Sequence, residues 1–274
     1  MARKSFEKSL QFYKKIKLRY NLSSSSHRVL PNFIIIGAQK GGTSSLYKNL
    51  IRHPSVKASF HKEPHFYDFN YFEGISWYKA FFPRETEMNN KLTGEATPYY
   101  LFHPKAPKRV KETQPDVKLL VMLRNPVNRA YSHYNKDSLR GKDPLSFIDA
   151  VHAEDQRFEE EKKQYEDPYK CINHWKRSYL SRGKYAEQLE RWFKFFPRKQ
   201  FLIIQSEQYY SNASKIYSDV LNFLDLPEWD PKFISKHNIG KYDKMNEDTK
   251  KELTEYFEPY NQKLYSLLGV AYDW

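Results

Sequence analysis

Apolar positions along the chain fall into short unbroken runs, separated by longer stretches in which they recur at helical spacing. Phe33–Ile36 is such a run, rich in β-branched isoleucine and closed by Gly37, and it reads as a buried strand. Val117–Leu123 and Phe201–Ile204 repeat the pattern, while Val56–Phe60 and the stretch from Gly94 are shorter strand candidates. Helical spacing follows Thr43 (Leu46, Tyr47 and Leu50 inward) and covers Trp77–Phe82, Pro104–Gln114, the segment after Asn125 and Asp143–Glu161. It returns at Gly183–Phe196, Ser211–Leu224 and Glu247–Leu268, whereas residues 162–177 read as irregular. Strands alternating with helices predict an α/β fold with a mainly parallel central sheet flanked by helices, a three-layer arrangement. The serines Ser23–Ser26 read as a tether, which divides the chain into a basic extension, 1–30, and one large domain, 31–274.

The first strand leads into the most informative stretch, Gly37-Ala-Gln-Lys40-Gly41-Gly42-Thr43-Ser44. A strand, a glycine turn and a new helix N-terminus make an anion site, because unpaired N–H groups and the positive end of the helix dipole face the ligand. Thr43 and Ser44 are good N-cap residues, and Lys40 adds a full charge. The order differs from a Walker A loop, where lysine follows the second glycine, and the dinucleotide fingerprint is absent.

Composition narrows the ligand. Lys and Arg total 46 against 33 Asp and Glu, a net charge of +13 that calls for an anionic partner. Aromatic residues make up 17% of the chain, enough to line a groove for sugars or bases as well as a core. Cys171 is the single cysteine, so an intrachain disulfide is excluded and a reducing compartment, by default the cytoplasm, is expected. No run reaches the roughly 18 apolar residues of a membrane helix, and the first twenty residues lack a signal peptide's apolar core. Phe6, Leu10, Tyr13 and Ile16 instead suit a short amphipathic helix lying on the domain or on a membrane.

Two further segments carry candidate chemistry. His61-Lys62-Glu63-Pro64-His65-Phe66-Tyr67-Asp68 follows the second strand candidate, and in open α/β sheets ligands bind beyond the carboxyl ends of the strands. Pro64 bars a helix there, so Glu63 and His65 project from a loop. A carboxylate against an apolar, aromatic wall gains proton affinity, which makes Glu63 a candidate general base. Arg124 ends the strand Val117–Leu123, with Asn125 and Pro126 placed to start a helix that carries Ser132. Arg124 and Ser132 read as a second anion site, suited to a ligand with two separated phosphate groups. Glu95 follows Gly94 at another strand end and either contacts an acceptor or satisfies loop backbone.

Taken together, Gly37–Ser44, Lys62–Asp68 and Leu123–Tyr134 resemble the three signature blocks of sulfotransferases that use 3′-phosphoadenosine 5′-phosphosulfate (PAPS). The likeness is to the heparan sulfate 3-O- and N-sulfotransferases and to bacterial sulfotransferases, and it extends from about residue 31 to the end. It implies the P-loop-like sulfotransferase fold and a sulfuryl transfer from PAPS to a hydroxyl or amine, leaving adenosine 3′,5′-bisphosphate, without a metal. It implies that Lys40, Gly41, Gly42, Thr43 and Ser44 hold the 5′-phosphosulfate and that Lys40 steadies charge on the departing oxygen. Arg124 and Ser132 would hold the 3′-phosphate, and Gly240, Lys241 and Tyr242 would close over the nucleotide. Glu63 would be the base, with His65 and Asp68 contacting substrate or orienting it. The acceptor would be a glycan or another hydroxylated molecule, and no nucleic-acid partner is expected. Where the heparan 3-O-enzymes place a lysine after the glutamate of the block at Gly94-Glu95, this chain has Ala96. Two competing classes are an ATP-dependent kinase and a basic module that binds nucleic acid or acidic glycans without catalysis.

Overall fold

A computed structural model of the chain describes residues 16–139, 141, 143–163, 172–230 and 242–274. Five strands form its sheet: β1 (Phe33–Gly37), β2 (Val56–Ala58), β3 (Leu92–Ala96), β4 (Lys118–Leu123) and β5 (Phe201–Gln205). Their order is β2-β3-β1-β4-β5 and every pairing is parallel. An all-parallel sheet buries both faces, which is why β1 is apolar without alternation. Ile34 and Ile36 face a core with Phe66, Tyr78, Tyr100 and Trp192, while Phe33 and Ile35 face another with Leu46, Leu50, Tyr209 and Val220.

The long helices used below are α1 (Thr43–Leu50), α2 (Ala106–Thr113), α3 (Pro126–Ser138), α4 (Tyr185–Phe193) and α5 (Glu247–Leu268). The span of α5 is the one expected, and Asn125 caps α3 by accepting from the Asn128 N–H at 3.1 Å. Three expectations are corrected. The long helix expected over Asp143–Glu161 is two, Phe147–His152 and Glu154–Lys162, with Ser146 as the cap of the first. Asp143 does not open a helix: it is buried, paired with Arg157 at 2.9 Å, and accepts from the Tyr179 hydroxyl at 2.8 Å. The stretch 162–177, read as irregular, carries a short helix, Ile172–Lys176, whereas the helix expected over Ser211–Leu224 is present as Ala213–Phe223, preceded by a separate helix, Ser206–Ser211.

The serine tether is tied down. Asn21 donates to the Ala80 carbonyl at 2.9 Å and Arg28 to the Phe82 carbonyl at 2.6 Å, and Arg28 forms an isolated bridge with Arg84. Part of the 1–30 extension therefore packs on the domain. Among the described residues no helix is long and apolar enough to cross a membrane.

The connection after β1 runs toward β2 on one side and that after the neighbouring β4 runs toward β5 on the other, so the chain reverses between these two strands. Such a switch point opens a crevice at the carboxyl ends of the strands. The loops after β1, β2, β3 and β4 all emerge there, carrying the residues singled out above.

Candidate active site

The loop after β1 is built to bring its backbone close to a ligand. Ala38 N–H donates to the Met122 carbonyl at 2.8 Å and Gly41 N–H to the Ala38 carbonyl at 2.9 Å, folding the loop against β4. Gly41 has no room for a side chain: a Cβ there would lie 2.4 Å from the Met122 oxygen. Gly42 adopts φ +100° and is the N-cap of α1, so the expectation that Thr43 or Ser44 caps the helix is corrected; both lie in its first turn. A glycine cap brings no side chain to the N–H groups of Thr43 and Ser44, while that of Ser45 turns to the Gly42 carbonyl at 2.9 Å.

Arg124, just past β4, donates through Nη1 to the Lys40 carbonyl at 3.3 Å. A guanidinium and the Gly42-capped end of α1 thus lie together at the switch point. Ser132 is buried on α3, and Tyr242 packs its ring edge-on against Tyr131 of the same helix at 5.4 Å. Gly240, Lys241 and Cys171 lie outside the described residues.

The loop after β2 brings Glu63, His65 and Asp68 together. His65 Nδ1 is 2.7 Å from Asp68 Oδ2, and His65 Nε2 is 4.0 Å from Glu63 Oε2. Asp68 is buried, and its other oxygen accepts from the Phe69 N–H at 2.7 Å. Burial by itself would lower the proton affinity of His65, but the Asp68 hydrogen bond and the nearby carboxylates outweigh it and raise its pKa. The apolar wall expected around Glu63 is not there: its side chain is 37% exposed and pairs with Lys62.

The enclosed carboxyl is Glu95 on β3. It has no exposure, accepts from the Tyr78 hydroxyl at 2.8 Å and from Thr97 Oγ1 at 2.5 Å, and burial pushes it up to about 7. Tyr100, beside it, receives the Phe66 N–H at 2.9 Å and so links β3 to the Glu63 loop. Glu95 does not reach the surface with Glu63 and His65.

Backbone conformation marks the same residues. Lys40, Glu63 and His65 have φ of +70°, +66° and +53°. Lysine and glutamate rarely enter this left-handed region, and when they do the site is commonly functional.

Sequence reasoning missed the supports. Ser206 Oγ donates to the Gly41 carbonyl, Glu207 accepts from the Asn125 N–H at 3.0 Å, and Tyr210 donates to Ser45 at 3.3 Å. All three sit on the turn of helix that begins at the carboxyl end of β5, and that placement was the available signal. Arg182 and Arg129, both fully buried, were also missed, since neither lies at a strand end.

Comparison with known proteins agrees with this layout. A sulfotransferase-domain family model matches residues 30–266. The membrane-associated sulfotransferase kil1 of Dictyostelium discoideum is 30% identical, with 89% of this chain and 66% of that protein covered. Heparan sulfate glucosamine 3-O-sulfotransferase 3B1 of Homo sapiens is 30% identical, with 92% of this chain and 67% of that protein covered. The chain thus spans about two thirds of the length of these curated relatives. A crystal structure of a sulfotransferase from Alicyclobacillus acidocaldarius superposes with a TM-score of 0.70 at 28% identity, covering 89% of this chain and 98% of that one. With the signature loops gathered at one crevice, the chain belongs to the sulfotransferase family.

Proposed function

We propose that this protein moves a sulfuryl group from PAPS to a hydroxyl or amine of a glycan. The observation that carries the reading is the meeting of Arg124 with the Gly42-capped end of α1 at the switch point, where the guanidinium is 3.3 Å from the Lys40 carbonyl. A donor with phosphate at both ends of its ribose needs two such anion holders, and one alone would serve ATP as well. Lys40 and the first-turn N–H groups of α1 hold the phosphosulfate end, and Arg124 with Ser132 holds the 3′-phosphate. Relatives named for heparan sulfate support a glycan acceptor, while Ala96 marks a difference from the heparan 3-O pattern.

The chemistry follows from the arrangement. Glu63 takes the acceptor proton as the new bond forms between sulfur and the acceptor oxygen or nitrogen. The bond between sulfur and the bridging phosphate oxygen breaks, its electrons remain on the departing nucleotide, and Lys40 offsets that charge. Transfer of this kind depends on in-line positioning and charge stabilisation. His65, fixed by Asp68, orients Glu63 from 4.0 Å.

Calorimetric titration of adenosine 3′,5′-bisphosphate into wild-type protein and Arg124→Ala, with ATP as control, tests the reading. Micromolar binding that needs the 3′-phosphate and collapses in the variant supports it. Equal binding of ATP, or none of either, overturns it. Transfer from PAPS to heparan-type and other glycans then tests the acceptor class.

A further inference from the structure

Arg182 lies in the short turn Ser181–Gly183 that leads into α4, far in sequence from every signature loop, and it is 2% exposed. Its guanidinium joins three distant segments. Nη1 donates to Gln39 Oε1 at 2.5 Å, and Nη2 donates to the Trp175 carbonyl. The guanidinium carbon sits 4.7 Å from the centre of the Tyr99 ring and 5.3 Å from that of Phe102.

Burying a guanidinium costs several kcal/mol unless geometry repays it. Burial first, and then a second buried arginine, Arg129, lower the proton affinity of Arg182 to a pKa of about 10, so that it stays charged at neutral pH. Glu154 compensates only from alongside, since its carboxylate already accepts from the Leu180 and Ser181 N–H groups at 2.6 and 2.9 Å. A leucine or methionine would fill the same space at lower cost, so packing alone does not account for an arginine here. Its fork does what a point charge or an apolar group cannot, which is to hold Gln39 and Trp175 at once. Gln39 is the residue before Lys40. The Trp175 ring lies edge-on to His65 at 6.2 Å and to Phe69 at 4.9 Å.

We propose that Arg182 is a positioning residue that holds the donor loop in its binding shape through Gln39 and ties it, through Trp175, to the loop carrying Glu63 and His65. The proposal rests on the sulfotransferase reading above. It makes the distance between the charge on Lys40 and the base side of the site a property of one buried fork.

A double-mutant cycle tests it. Gln39→Ala, Arg182→Lys and the double variant are titrated with adenosine 3′,5′-bisphosphate, and their melting temperatures are measured alongside. Each single change is expected to weaken binding about tenfold or more, the usual scale for a hydrogen bond to a charged group. The double variant is expected to be no weaker than the worse single one, because both cut the same bond. Gln39→Ala should melt closer to the wild type than Arg182→Lys does, since it removes one partner of the fork and leaves the rest, which separates positioning from support of the core. Losses that multiply, or a Gln39→Ala protein with wild-type affinity, overturn the proposal. Should Arg182→Lys fail to fold, the affinity of Gln39→Ala decides alone: a loss of about tenfold supports the proposal and wild-type affinity overturns it. A wild-type protein that binds no nucleotide overturns the donor reading instead, a result distinct from either.

Discussion

Replacing Gly41 by alanine is the sharpest single perturbation of the donor loop. The new Cβ would fall 2.4 Å from the Met122 carbonyl oxygen and 3.0 Å from that of Ala38. Ordinary carbon–oxygen contact is about 3.4 Å, so something must move by about an ångström. The Met122 carbonyl is fixed on β4 and also receives the Ala38 N–H, which leaves the loop to give way. Overpacking of this size costs about 1–3 kcal/mol. Its functional cost is larger, since a misplacement of about 1 Å at a reacting centre can lower the rate by about 10²-fold. We expect Gly41→Ala to melt lower, to bind adenosine 3′,5′-bisphosphate at least tenfold more weakly, and to transfer sulfuryl about 10²-fold more slowly from PAPS. Gly74→Ala is the control: that glycine has φ +79° with nothing within 4 Å, so its substitution strains the backbone away from the site. It should lose about 1–3 kcal/mol of stability and no activity. A Gly41→Ala enzyme with wild-type affinity and rate would refute the argument that close approach to β4 shapes the loop.

Other outcomes can be checked on the same preparations. Glu63→Gln should slow transfer by about 10²–10⁴-fold while leaving nucleotide affinity intact; a parallel loss of both would remove Glu63 from the role of base. Glu95 is raised from 4.5 to about 7 by burial, so its folded form resists ionising and stability is lost as pH rises from 4.5 through 7. That gap corresponds to about 3 kcal/mol, and Glu95→Gln, which keeps an acceptor for Tyr78 and Thr97, should melt higher than wild type at pH 8 but not at pH 5. His65 is raised from 6.5, so its contribution is fully present below pH 6.5 and fades as pH rises through the folded value. Asp68→Asn should therefore lose most stability relative to wild type near pH 6, with the difference shrinking toward pH 9; a pH-independent difference would mean that the His65–Asp68 contact carries no charge.

Much of this was legible because a parallel sheet buries both faces and leaves continuous apolar runs. Phe33–Gly37, Lys118–Leu123 and Phe201–Gln205 announced themselves in that way, and the loops that follow two of them carry residues proposed to hold anions. The edge strand Val56–Ala58 is shorter than expected because only Val56 is buried. Helix starts were misread where a glycine rather than Thr43 or Ser44 stands at the cap, as at Gly42, and where a carboxylate expected to open a helix serves an ion pair, as at Asp143. Carboxylate environments were the least legible. Glu63 and Glu95 look alike in sequence, and only the packing of Tyr78, Thr97 and Tyr100 encloses the second and leaves the first exposed. Arg182 was invisible for a similar reason, since its partners are spread from Gln39 to Trp175.

The clamp of Asn21 and Arg28 on the Ala80–Phe82 carbonyls also bears on orientation. A segment joined to a domain through a loose serine linker would let the crevice face any direction. Here whatever precedes the clamp leaves the domain at a fixed point on its surface. If that segment rests on a membrane or a larger assembly, the reach of the site toward a long polymer is counted from the clamp on the domain surface rather than from the far end of a serine linker.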